Sequence, residues 1–277
     1  MAQRHTFGAR SGGIRITAVR PATLRVRVAG SSSSIPRPGR ACSSYIVQSA
    51  ETSIVIDVGT GALANLRTAR EPADFDAVII SHMHADHFLD LVPLRYALKY
   101  GQRRRSTPLP LYLPPGGERT MRRLVSAFAP EIGGDFLDDV FDVIEYRPDS
   151  GIAIGDLQIR LALTHHWVPA FAMRVECESV VFAYSADTSP CDSVVEIARN
   201  ATLFCCEATL GLREELYEPR GHCNAAEAGT MATQAGAHGL LLSHYGNEWS
   251  PDQLIEGARS CYDGPIFVAD DGNEIRL

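Results

Sequence analysis

The segment Ser81-His-Met-His-Ala-Asp-His87 places three imidazoles and a carboxylate within six consecutive positions, His82 to His87. Neutral imidazole and carboxylate donors suit zinc, manganese and iron, which are borderline between hard and soft ions. A tight loop with this spacing can aim His82 and His84 at one cation while Asp86 and His87 face a second. A single histidine would be read as a packed or surface residue. Four such donors in one short stretch point instead to metal-dependent hydrolysis, in which a bound cation acidifies a water and polarises the substrate.

The surrounding pattern says what must position these donors. Ala77-Val-Ile-Ile-Ser81 is apolar and β-branched, so it predicts a buried strand that stops where the histidines begin. Further strands are predicted at 24–28, 45–48, 53–58, 109–113, 141–146, 157–163, 171–176, 179–184, 202–206, 239–243 and 265–268. Helical spacing is predicted at 63–70, 88–100 despite Pro93, 118–128, 191–199, 224–235 and 252–261. Strands grouped first and then alternating with helices, in both halves, imply two packed sheets with helices outside. Residues 1–23 read as an N-terminal extension, and 24–277, lacking any low-complexity linker, as one domain.

Composition narrows the partners. With 277 residues, 45% of them hydrophobic and 21% charged, the chain can bury a sizeable core. A net charge of −7 disfavours an extended phosphate backbone, so a small-molecule substrate is expected and nucleic acid is not. The runs Arg103 to Arg105 and Arg119, Arg122, Arg123 read as solvated surface. No apolar run of about 18 residues suggests a membrane span, and the polar, Gly-rich N-terminus lacks a signal-peptide pattern, so a cytoplasmic location is expected. The seven cysteines include no CxxC pair and read as reduced thiols, with Cys223 packed rather than nucleophilic. None of the glycine-rich turns resembles a phosphate-binding loop, so no nucleotide cofactor is expected.

The histidine segment matches the HxHxDH signature of the metallo-β-lactamase superfamily, and later segments resemble that family's remaining motifs, in order, over roughly 24–270. The resemblance implies a four-layer αββα sandwich of two mixed sheets flanked by helices. It implies that Asp57, ending Ile54-Val-Ile-Asp57, braces the histidine loop without being a ligand. In Leu163-Thr-His-His-Trp167 it implies His166 as a ligand, with His165 a neighbour. Asp187, after Phe182-Ala-Tyr-Ser-Ala186, would bridge both metals, and His244, after Leu240-Leu-Leu-Ser243, would complete the set. The implied cofactor is two divalent ions, zinc first and manganese or iron as alternatives, held by His82, His84, Asp86, His87, His166, Asp187 and His244.

The branch is read from Phe204-Cys-Cys-Glu207-Ala-Thr209 and Gly221-His222-Cys-Asn224, which resemble the glutamate and histidine motifs of the ribonuclease Z group. That likeness implies Glu207, His222 and the metal-bound Asp86 as catalytic, with His222 protonating the leaving oxygen. Departures are plain. Only a strand pair lies between His166 and Asp187, where that group can carry a long arm, and Leu242-Ser-His-Tyr-Gly-Asn-Glu-Trp249 lacks the group's arginine. The chain also resembles actinobacterial cyclic-nucleotide phosphodiesterases of this fold. The expected activity is therefore hydrolysis of a cyclic nucleotide or other small phosphodiester by a hydroxide bridging two metals. Lactone or ester hydrolysis and transfer-RNA 3′ cleavage are the alternatives, and a homodimer is what the resemblance suggests. Trp167 and Trp249 lie near ligand histidines, where base stacking and core packing are both open.

Overall fold

The computed structural model describes residues 23–131, 135–214 and 219–277; the extension expected over 1–23 lies outside the described residues except for Thr23. One sheet contains β1 Arg25–Gly30, β2 Ser44–Gln48, β3 Ser53–Ile56, β4 Ala77–Ile79, β5 Leu109–Leu113, β6 Phe141–Glu145 and β14 Glu274–Arg276. The other contains β7 Ile152–Ile154, β8 Leu157–Leu163, β9 Phe171–Cys177, β10 Val180–Tyr184, β11 Leu203–Glu207, β12 Leu240–Ser243 and β13 Ile266–Val268. Their orders are β14-β1-β2-β3-β4-β5-β6 and β13-β12-β11-β10-β9-β8-β7. In each, one half is antiparallel, and the other, β3 to β6 or β10 to β13, is parallel.

Period-two alternation sorts the apolar side chains into layers. Ile54 and Ile56, Ala77 and Ile79, Leu203 and Cys205, and Leu241 enter the core between the sheets. Val55, Val78 and Ile80 pack outward under α1 Ala62–Ala69, α3 Leu91–Tyr100 and α4 Gly117–Phe128, in a cluster that the short α5 Asp135–Asp138 joins through Phe136 and Leu137. Phe204, Cys206, Leu240 and Leu242 pack under α6 Asp192–Ala198, α7 Ala225–Ala235 and α8 Pro251–Arg259. The result is the αββα sandwich. Phe182 is fully buried in the central layer. Phe182→Ala is expected to lower unfolding free energy by about 3–5 kcal/mol, through lost burial plus a cavity. Urea titration should show a lower midpoint at unchanged slope.

The structure revises one predicted helix. The run predicted over 88–100 is broken: α2, Ala85–Phe88, ends, and α3 starts at Leu91. Pro93 thereby falls in a first turn, where its missing N–H has no intrahelical partner to lose. β7 and β14, three residues each, are too short to have shown an alternation pattern. The Arg103 side chain pairs with Asp74, and Arg105 donates to the carbonyls of Ala73 and Phe75, so that run serves local structure. Among the described residues no helix is long and apolar enough to cross a membrane.

Candidate metal centre

Strand ends deliver the site. Asp57 follows β3, Ser81 and His82 follow β4, Asp187 follows β10, Glu207 ends β11 and His244 follows β12. His166 follows β8, which runs in the same direction as β10 because β9 is antiparallel to both. Carboxyl ends of strands thus converge on one edge, as ligand sites in parallel sheets do. Asp86 and His87 ride on α2. The chain leaves its strands through strained turns: Asp57, Ala186 and His244 have φ of 57°, 50° and 52°. Each such non-glycine conformation costs on the order of 1–3 kcal/mol and persists only where the surroundings enforce it.

Two donor clusters result. Ligand atoms of His82, His84, His166 and Asp187 all lie within 4.8 Å of one another, and so do those of Asp86, His87, Asp187 and His244. Asp187 belongs to both. The imidazoles of the two clusters face one another in pairs, with His166 Nε2 3.0 Å from His84 Nδ1 and His87 Nε2 3.3 Å from His244 Nε2. Lone pairs that close repel unless a proton or cation lies between them.

Hydrogen bonds at the outer edges fix most rings. His87 Nδ1 bonds Asp57 at 2.8 Å, His166 Nδ1 the Gly221 carbonyl at 2.7 Å, and His244 Nδ1 the Thr209 hydroxyl at 2.8 Å. His82 Nδ1 lies 3.0 Å from the Ser81 hydroxyl. In all four the Nε2 is left to face the pocket. His82 Nε2 and Asp187 Oδ1 are buried without a hydrogen-bond partner. Such groups cost about 1–3 kcal/mol each unless something binds them, and a cation would engage both. The donor set therefore fits divalent metal.

Electrostatics agree at three of the five cluster histidines; at His87 burial is outweighed by the Asp187 and Asp57 carboxylates, which raise it. Burial pushes the His82, His84 and His166 rings below the ordinary imidazole range, toward the neutral form a ligand needs. Burial works against the Asp187 carboxylate, yet His244 and His87 hold it well below the usual range. Asp86 is likewise opposed by burial and brought down to about 2 by its hydrogen bond with His244. His165 joins neither cluster; its backbone bonds Thr188 and Ser189, consistent with the neighbour role.

Bracing comes from residues the motifs did not all announce. Asp57 accepts the Ser81 N–H at 2.7 Å, the Ser81 hydroxyl at 2.8 Å and the Tyr184 hydroxyl at 2.9 Å. Tyr146 donates to the carbonyls of Ile80 and Ser81. Tyr184 and Tyr146 were missed as site residues. Both belong to the central layer, and the strand parity of Tyr184 was the available signal. Gly59 is as exacting: a Cβ there would lie 2.0 Å from the Asp86 carbonyl oxygen and 2.8 Å from Cys42. Gly59→Ala is expected to push α2 outward, costing about 1–3 kcal/mol of stability. Metal affinity should fall with it, measured by competition with a chromophoric chelator.

Beside the second cluster lies a carboxylate–imidazole pair. Glu207 Oε1 bonds His222 Nδ1 at 2.8 Å and accepts the Thr188 N–H at 2.9 Å, while Oε2 accepts the Thr209 N–H at 2.9 Å. Glu207, His222 and His244 also lie within mutual ligand distance. Glu207, with both oxygens so engaged, serves as an anchor for His222. Burial alone would lower the His222 pKa, but the Glu207 charge and hydrogen bond outweigh it and raise it to about 9. Cys223 is buried with its thiol against the Glu207 carbonyl, a packed residue. Trp249 packs against the helical layer and over Gly211, whereas Trp167 stays exposed beside His166 and His222.

Comparison with known proteins adds an independent line. A family model described as the beta-lactamase superfamily domain matches residues 52–245. An uncharacterized protein of Mycobacterium tuberculosis is 36% identical over 260 residues, covering 92% of this chain and 93% of its own. The probable metallo-hydrolase YhfI of Bacillus subtilis is 30% identical over 251 residues, 90% of this chain and 98% of its own. The crystal structure of that metallo-β-lactamase fold protein has a TM-score of 0.81 at 29% identity, over 92% of this chain and 100% of the other. Ribonuclease Z of Haloarcula marismortui is 26% identical over 309 residues, 92% of this chain and 97% of its own. Sheet order, strand-end donors and sequence likeness all lead to one family: the protein belongs to the metallo-β-lactamase superfamily and is a hydrolytic enzyme with a divalent-metal site.

Proposed function

We propose that the protein hydrolyses a small phosphodiester, a cyclic nucleotide being the first candidate, with two divalent cations in its paired clusters, zinc ahead of manganese or iron. The observation that carries this is the Glu207–His222 pair beside the second cluster. An alkoxide leaving a phosphodiester needs a proton, whereas an activated carbonyl ester does not. The likeness to ribonuclease Z supports the phosphodiester reading. The hairpin of β9 and β10, without an arm, and the acidic net charge of −7 support a small substrate over RNA.

His82, His84 and His166 would hold one cation and Asp86, His87 and His244 the other, with Asp187 shared. Bound there, the cations would supply Lewis-acid polarisation and a water acidic enough to react near neutral pH. The chain's own residues do the rest. Glu207, fixed by two backbone N–H groups, holds the Nδ1 edge of His222 and leaves Nε2 as the donor. Hydrolysis adds water across one P–O bond: the oxygen joins phosphorus, and the departing oxygen takes the Nε2 proton. The proton that water gives up restores His222. Asp57 and Tyr184 keep the His87 ring oriented throughout.

Metal-loaded protein assayed with bis-p-nitrophenyl phosphate, a 3′,5′-cyclic nucleotide and a lactone tests this, with Asp86→Ala as the inactive reference. Turnover of both phosphodiesters, with the lactone far slower, is expected. Lactone turnover without phosphodiester turnover would overturn the proposal.

A further inference from the structure

Of the two tryptophans, Trp249 is half-buried and Trp167 is 53% exposed. An exposed tryptophan is ordinary in itself; the way this one is held is not. Its indole N–H donates to the Pro219 carbonyl at 3.1 Å, so the polar edge is satisfied. One side rests on Gly221, where a Cβ would lie 2.8 Å from indole carbons and 2.9 Å from His166 Nδ1. Its ring centroid is 5.1 Å from that of His222, at 83°, and 5.1 Å from that of His166, at 42°. A flat apolar ring is thus immobilised at the rim of the site, between a metal-cluster histidine and the proposed proton donor.

Neither a phosphate nor a metal gains from such a surface. A planar π-system does, because stacking on a prearranged ring costs little conformational entropy. We infer that Trp167 is the platform on which the nucleobase of a nucleotide phosphodiester stacks while its phosphate lies over the metal clusters. The inference rests on the phosphodiesterase reading and adds to it what the substrate carries beyond phosphorus. Trp249 is not so placed: it is half-buried against the helical layer, with the Arg213 guanidinium 6.0 Å above its ring.

Two arms test it on metal-loaded protein. The first compares kcat/KM for adenosine 3′,5′-cyclic monophosphate with that for the cyclic phosphate of 1,3-propanediol, which has the same six-membered phosphate ring and no base. Trp167→Ala should lower the ratio of the two by about 5- to 150-fold, the range expected from loss of one stacked base, and Trp167→Phe should restore most of it. An unchanged ratio overturns the inference. If wild-type enzyme hydrolyses neither compound, the phosphodiesterase reading fails, and the second arm decides stacking alone. In Trp249→Phe protein, where Trp167 is the sole tryptophan, adenosine 5′-monophosphate should quench fluorescence saturably and ribose 5-phosphate should not. Equal responses to both, or none to either, overturn it.

Discussion

Replacing Asp187 with alanine should strip the pocket of metal and take hydrolysis to background. Among the described residues no other carboxylate stands in both donor clusters. It is 2% exposed, and its Oδ1 lies 3.2 Å from His87 Nε2 and 3.5 Å from His244 Nε2 while hydrogen-bonded to neither. That geometry fits nitrogens and oxygen aimed at a common point. Without Asp187, five imidazoles face each other and Asp86 is the carboxylate left in the two clusters. Loss of a residue that merely orients a ligand costs about 10- to 100-fold in metal affinity. Loss of the shared ligand should exceed that. Elemental analysis after dialysis against chelator measures it, with circular dichroism to confirm the fold. Asp187→Asn keeps the shape but not the charge and should fall the same way; a variant that retains full metal would show that Asp187 is not a ligand.

Replacing His222 with alanine should have a large effect of a different kind. Metal content should stay at the wild-type level, because the ring is tied to Glu207 and not to the shared aspartate. Turnover of an alkyl phosphodiester should drop about 10²- to 10⁴-fold, the usual contribution of a positioned general acid. For bis-p-nitrophenyl phosphate the loss should be far smaller, since nitrophenolate departs without a proton. Parallel kcat measurements on the two substrates separate the roles. An equal loss on both would mean that His222 positions substrate; lost metal would make it a ligand.

Much of this was legible in sequence because the proposed ligands sit where strand patterns end. Ala77 to Ser81 announces a buried strand, and the histidines begin at its close, so motif and element identify each other. The run Ile54, Val55, Ile56, apolar at every position, marked a strand but not its faces; Ile54 and Ile56 enter the central core and Val55 the outer one. What sequence hid is long-range. Tyr184 reaches Asp57 across 127 positions, a contact that exists only once two sheets pack, and Gly221 accepts from His166 across 55, between loops that follow two strands of one sheet. No local pattern marks a tyrosine hydroxyl for such work. The helix break at Leu89 was also hidden, because its apolar spacing continues through it while the backbone turns to aim Asp86 and His87. Trp167 and Trp249 looked alike as neighbours of histidines; both rest on a glycine, and burial of Trp249 against the helical layer set them apart.

Crystals grown with zinc, with anomalous data collected on both sides of its absorption edge, test the central claim most directly. Two peaks are predicted, one among His82, His84 and His166 and one among Asp86, His87 and His244, with Asp187 touching both. A single peak, or zinc bound anywhere but between these seven side chains, would contradict it.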